Sequence, residues 1–123
     1  MLNQATVFAT IAVHDIEKAK EFYGGTLGLN QVEENPGGVT YRSGEGKLFV
    51  YAAPTAGTNQ ATSASWNVDD IATAVSELKG KGITFEHYDM PGGTLEGDIH
   101  TMGSMRAAWF KDPDGNILNI SST

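Results

Sequence analysis

The residues with the widest chemical scope are a histidine–aspartate group late in the chain and the arginine that follows it. His87 and Asp89 lie two apart, as do Asp98 and His100, so in extended backbone each pair shares a side. Imidazole and carboxylate are donors that a divalent cation accepts. The spacing matches no recognised ligand pattern, so metal ligation by His87, Asp89, Asp98 and His100 stands second to an ordinary solvated loop. Arg106, facing a cavity, would clamp a carboxylate, a phosphate or a phenolate; at the surface it simply begins a strand. His14, beside a helix cap, is read as a surface residue.

Nucleophilic catalysis finds little support. Cysteine is absent, which excludes a thiol nucleophile, a thiolate metal site and a disulfide framework. No Gly-x-Ser-x-Gly elbow occurs, and no histidine has an evident orienting partner. The neighbours Glu33/Glu34 and Asp69/Asp70 diverge on a strand or at a helix start, so they read as solvated charge and capping, not as an acid/base dyad. Gly44-Glu45-Gly46-Lys47 lacks the spacing of a phosphate loop and reads as a turn.

The net charge is −7, and the 8 Lys and Arg residues are scattered. Nucleic acid and anionic membrane are therefore excluded as expected partners, because phosphate binding needs basic patches. The N-terminus has no positive charge ahead of an apolar core, so no secretory signal is expected. Val7–Val13 is far too short to cross a bilayer. A cytoplasmic location follows as the default.

The elements that must position these residues repeat. A strand over 6–13 precedes a helix capped by Asp15, which ends at Gly24-Gly25, and short strands follow near 31–34, 39–43 and 47–53. A second strand bearing Ala64, Trp66 and Val68 precedes a helix capped by Asp70. Its Ile71, Ala74, Val75 and Leu78 are spaced for one apolar face, and Gly80 and Gly82 end it. Strands follow near 84–88, 106–111 and 116–121. Sliding Val13 onto Val68 places His14-Asp15-Ile16 on Asp69-Asp70-Ile71, Ala19 on Ala74 and Gly25 on Gly80. The chain is read as one α+β domain, residues 1–123, of two βαβββ modules at about 5–54 and 63–122. The alternative is a ferredoxin-like sandwich without a cavity. Asp89–Met105 is long for a connection, and its glycines and methionines suit a flap; a wandering edge loop or a dimer contact is the other reading.

The last strand pair turns at Asp112-Pro113-Asp114-Gly115, strong turn chemistry between apolar runs. Lys111-Asp112-Pro113-Asp114-Gly115-Asn116, with Val13-His14-Asp15-Ile16, Phe22-Tyr23 and Leu27-Gly28-Leu29, resembles the vicinal oxygen chelate superfamily over nearly the whole chain. That superfamily includes glyoxalase I, extradiol dioxygenases, fosfomycin-resistance enzymes and bleomycin-binding proteins. The resemblance implies a cupped mixed sheet with helices on its outer face, and a homodimer. One scaffold hosting unrelated activities says little about function.

Strand parity sends Val7, Ala9, Ile11 and Val13, with Ala64, Trp66 and Val68, toward the helices. Into the cup it sends Phe8 and Thr10, then Ser63, Ser65 and Asn67. Pairing Lys111 with Asn116 adds Arg106, Phe110 and Asn119 to the cup, and the repeat adds Val50. Met102 and Met105 come from the flap. Relatives that hold a metal place His or Glu on four strands. Carried over, those positions are Phe8, Val50, Ser63 and Asn119, or Phe49 or Tyr51 if the fourth strand shifts by one. Phenyl and isopropyl groups cannot ligate. The expectation is therefore a binder of a small organic ligand, aromatic or anionic, with no metal or other cofactor. The alternatives are a lyase, isomerase or dioxygenase using a displaced metal site, and a structural or regulatory domain with a filled core.

Overall fold

A computed structural model describes residues 1–123. After a 3₁₀ turn at Leu2–Gln4, the first half runs β1 (Ala9–Val13), α1 (Ile16–Ala19), a π-helical stretch (Lys20–Thr26), β2 (Asn30–Asn35), β3 (Gly38–Ser43) and β4 (Gly46–Ala52). The second half runs β5 (Thr62–Asn67), α2 (Ile71–Gly80), β6 (Phe85–Glu86), β7 (Thr94–Glu96), β8 (Ile99–Met102), β9 (Met105–Lys111) and β10 (Ile117–Ser122). The fold is α+β, with two mixed sheets in the orders β1-β4-β3-β2 and β5-β10-β9-β8-β7, and β6 beside β9. In each half the opening strand runs parallel to the closing one, and the remaining pairings are antiparallel.

Local chemistry explains the helix starts. The Asp15 carboxylate accepts from the N–H groups of Glu17 and Lys18, and Asp70 accepts from that of Thr73, so each caps donors that have no helical acceptor. The stop expected at Gly24-Gly25 is overtaken. The first helix widens there, with the Leu27 N–H reaching the Phe22 carbonyl, and the chain turns at Gly28, where φ is 71°. The flap is also corrected. Thr94–Met102 forms the β7–β8 hairpin with Gly97 in its turn at φ 60°, and Gly103, at φ 58°, lies in the β8–β9 turn that follows. Glycines expected as hinges are turn residues, and the stretch 87–93 lies outside the strands.

One core of 17 buried residues unites the halves on the helix side of both sheets. It brings Ile11, Val13, Tyr41, Leu48 and Val50 of the first half together with Ile71, Phe85, Phe110, Leu118 and Ile120 of the second. Strand ends fasten across the two halves. The Trp66 indole N–H donates to Ser43 Oγ at 3.0 Å, and the Asn116 amide donates to the Ala12 carbonyl at 2.8 Å.

The second of these contacts belongs to a buried knot. Asp112 is 5% exposed. Its Oδ1 accepts from the backbone N–H groups of Asp114 and Asn116 at 2.9 Å each. Its Oδ2 accepts from the Tyr23 hydroxyl at 2.7 Å and the Asn116 amide at 2.8 Å. Burial, then the Asp112 charge, pushes the Tyr23 hydroxyl far above the ordinary tyrosine range, so it stays a donor. Asn116 Oδ1 takes the Gly57 N–H, and a Cβ at Gly57 would stand 1.8 Å from the Asp114 carbonyl oxygen. Only glycine lets the linker lie this close. His14 spans the same turn, from Asp114 Oδ1 at 2.9 Å to the Pro54 carbonyl at 3.3 Å.

Asp112→Ala leaves buried donors of Tyr23 and Asn116 without partners, at about 1–3 kcal/mol each. Calorimetric melting is expected to show a loss of about 10 °C or more. Tyr23→Phe, which leaves Asp112 with other donors, is expected to lose clearly less. Equal losses would contradict this hierarchy.

Candidate functional site

Register decides which side chains face the cup. Thr10 lies beside Phe49 and Ala12 beside Tyr51, while Ile11 lies beside Val50. Ile11 and Val50 are each 1% exposed in the core. Thr10, Phe49 and Tyr51 therefore occupy the opposite, cup-facing surface. Across the strand pair Thr40 stands next to Phe49. The Phe49 and Tyr51 rings stack with centroids 6.0 Å apart and 10° between planes. Phe8 is 54% exposed and joins Glu33, Thr40, Lys47 and Phe49 around an open hollow of about 330 Å³.

In the second sheet Asn119 pairs with Trp109 and lies beside Ser65, and Ser121 lies beside Asn67. Lys111 pairs with Ile117, not with Asn116. Asn116 stands opposite Asp112: its carbonyl accepts the Asp112 N–H at 3.0 Å and its own N–H goes to Asp112 Oδ1. The shift of one residue from the expected pairing exchanges the two faces of β9. This corrects three expected positions. Phe110 pairs with Leu118 and is core. Arg106 pairs with Ser122, and its charge acts on Asp70 at the start of α2. Val50 is core as described. These three lie on the helix side. Phe8, Thr10, Ser65, Asn67 and Asn119 keep their cup-side parity, whereas Ser63 is the extra residue at a register shift between the Thr62–Ile117 and Ala64–Leu118 pairs. Met102 and Met105 pair with each other at the β8–β9 turn, on the same face as Trp109.

Sequence reasoning missed Trp109 and Tyr88 as cup-side aromatics. The Tyr88 ring lies 5.6 Å from Trp109, and the His100 ring 5.0 Å from it, both edge to face. Trp109 donates its indole N–H to Thr62 Oγ1. Tyr88 and Met90 form one wall of a hollow of about 250 Å³ beside Trp109 and Ile117. On their other side a cavity of about 320 Å³ is lined by His87, Tyr88, Asp89, Met90, Gly93, Thr94, Leu95 and His100. The face of a strand aromatic such as Trp109 carries no sequence signal without the register, and Tyr88 lies in the loop after β6, where no periodicity places it.

The four His and Asp residues do not converge on a metal. His100, 3% exposed, accepts the Tyr88 backbone N–H on Nε2 at 3.0 Å, and its Nδ1 faces the Ala107 carbonyl at 3.4 Å. The acceptor role uses the Nε2 lone pair and puts the hydrogen on Nδ1, so neither nitrogen is open to a cation. His87 Nε2 meets Asp98 Oδ1 at 2.8 Å, and Asp98 Oδ2 meets Lys79 Nζ at 2.8 Å. His87 thus has the orienting partner that the sequence did not reveal. Hydrogen bonds from Lys79, then from His87, hold the Asp98 carboxyl below the usual carboxylate range. No three His, Cys, Asp or Glu residues come close enough to share an ion.

The chain belongs to the Glyoxalase/Bleomycin resistance protein/Dioxygenase superfamily, whose family model matches residues 5–120. Solved structures share the fold. A glyoxalase family protein from Enterococcus faecalis is 17% identical, with a TM-score of 0.75, covering 98% of this chain and 99% of its own. Lactoylglutathione lyase from Agrobacterium tumefaciens is 19% identical, with a TM-score of 0.69, covering 97% and 93%. TnmS3, an antibiotic binding protein from Streptomyces sp. CB03234, is 23% identical, with a TM-score of 0.68, covering 97% of each chain. Among curated proteins none is significantly similar in sequence. No helix is long and apolar enough to cross a membrane.

The metal that the superfamily's enzymes carry does not fit the strand positions carried over to this chain. With Val50 turned to the core, its cup-facing neighbours on the fourth strand are Phe49 and Tyr51, so the set is Phe8, Phe49 or Tyr51, Ser63 and Asn119. A phenyl ring, a second phenyl or a phenol, a hydroxyl and a neutral amide offer neither imidazole nor carboxylate.

Because the folded Asp98 carboxyl titrates below its unfolded value, its contribution to stability is present above about pH 4 and fades as pH falls further. Asp98→Asn is therefore expected to melt lower than the parent at pH 7, with the gap closing below about pH 4. A gap independent of pH would show that the Lys79 and His87 contacts carry no net stabilisation.

Proposed function

We propose that this protein binds an aromatic or otherwise planar organic molecule in the cup and does so without a metal ion. The observation that carries the reading is the replacement of charged donors by a phenyl platform. Phe8, Phe49 and Tyr51 offer flat apolar surface, with Thr10, Ser63, Ser65, Asn67 and Asn119 as polar groups that would orient a guest. Mostly apolar walls with a few placed hydrogen-bonding groups suit small-molecule sites. Stacked and edge-on rings add about 0.5–1.5 kcal/mol each beyond the area they cover. TnmS3, described as antibiotic binding, shows that a protein of this fold can hold an organic guest.

The same proposal includes a single domain acting as a homodimer in the cytoplasm. Strand β2, exposed along its whole length, is a free sheet edge that a second copy would cover. The cytoplasmic part rests on a composition without cysteine.

Trp66 and Trp109 are the two tryptophans, and Trp109 alone faces the cup. In a Trp66→Phe background, aromatic and polycyclic phenolic compounds are expected to quench the remaining fluorescence and raise the melting temperature, with no change on adding chelator. Phe49→Ala is expected to weaken binding about tenfold, near 1.4 kcal/mol. Binding that appears only with added Fe, Ni, Zn or Mn, and vanishes with chelator, would overturn the proposal.

A further inference from the structure

We infer that the cavity beneath Tyr88–Gly93 is a site for a small ligand bearing an acidic hydroxyl, a phenol or an enol, whose proton His87 accepts. The inference deepens the binding role just proposed, by naming a ligand class, but rests on a different set of residues.

The geometry is that of an oriented base. His87 Nε2 lies 2.8 Å from Asp98 Oδ1, and a carboxylate can only accept, so the ring hydrogen sits on Nε2. Nδ1 then carries the free lone pair, and it has no partner within the protein. Asp98 is itself fixed, because Lys79 Nζ holds its other oxygen at 2.8 Å. The Asp98 side chain is 15% exposed, whereas that of His87 is 50% exposed, so the orienting group is sheltered and the accepting one is reachable. His87 lines the cavity of about 320 Å³ with Tyr88, Met90, Leu95 and His100. That volume suits a single substituted ring.

The titratable groups packed around His87 come from four elements. Asp98 lies in the β7–β8 turn, Lys79 on α2 and His100 on β8, while Tyr88 and Asp89 follow in its own loop. The His100 nitrogens are committed to Tyr88 N–H and the Ala107 carbonyl. That leaves His87 as the cavity's imidazole acceptor. When a hydroxylated guest enters, its O–H bond breaks and an Nδ1–H bond forms. The electron pair stays on the oxygen, and the resulting imidazolium faces the Asp98 carboxylate. A cavity-lining histidine held in one tautomer by a carboxylate, with its other nitrogen unpartnered, is the arrangement that proton acceptance requires.

The test uses 4-nitrophenol and its methyl ether, 4-nitroanisole, which has the same ring and no acidic proton. The parent protein is expected to bind the phenol about tenfold tighter than the ether, the ratio of one charge-assisted hydrogen bond. The bound phenol is expected to absorb as phenolate at a pH where the free compound is mostly neutral. Nitrogen NMR is expected to show His87 protonated on Nε2 alone when free, and on both nitrogens when loaded. His87→Gln is expected to bring phenol and ether to parity, and Asp98→Asn to shift the free tautomer. Equal binding of the two compounds by the parent, a preference retained in His87→Gln, or no binding of either would overturn the inference. Failure here, with other aromatic compounds still bound through Phe49, would leave the cup reading standing. Loss of the Phe49 effect, with the His87 preference intact, would do the reverse.

Discussion

The buried carboxylate of Asp112 is the constraint on which the arrangement of the two halves depends. It accepts two backbone hydrogens of its own turn, a tyrosine hydroxyl from the first helix and an amide that also reaches the end of β1. A buried charge is tolerable only when its lone pairs are filled, and here the partners come from both modules. The turn therefore cannot move without unpairing donors in the other half. The shared core packs residues of both halves around this fixed point.

The same knot sets the chemistry of the cup. By holding Asn116 opposite Asp112 it sets the β9–β10 register, which sends Phe110 inward and Trp109 outward. A turn that looks purely structural thus selects which aromatic ring meets a guest. The relation runs from sequence to register, from register to surface, and from surface to what can be bound.

Much of this was legible in the sequence. Asp15 and Asp70 announced both helix starts, the offset repeat announced two modules, and the spacing of Ile11, Val13, Leu118 and Ile120 announced the core side of their strands. The faces of β4 and β9 were not legible, because each depends on a register fixed by distant contacts and period-two patterns leave no margin for an error of one. The Asp89–Met105 segment misled because Gly97 and Gly103 suit a hinge and a tight turn equally well. The His87–Asp98 pair was hidden for another reason: the two residues are joined by the β7–β8 hairpin, and nothing in their spacing specifies that it folds back.

The strand positions carried over from metal-holding relatives hold Phe8, Phe49 or Tyr51, Ser63 and Asn119 in this chain, none of them an imidazole or a carboxylate. The most direct measurement is anomalous diffraction from crystals soaked in zinc and in nickel, recorded at the absorption edge of each metal. The account predicts that any anomalous density lies at surface carboxylates and exposed imidazoles, with none inside the cup. A strong peak between those four strands, at bonding distance from their side chains, would contradict it.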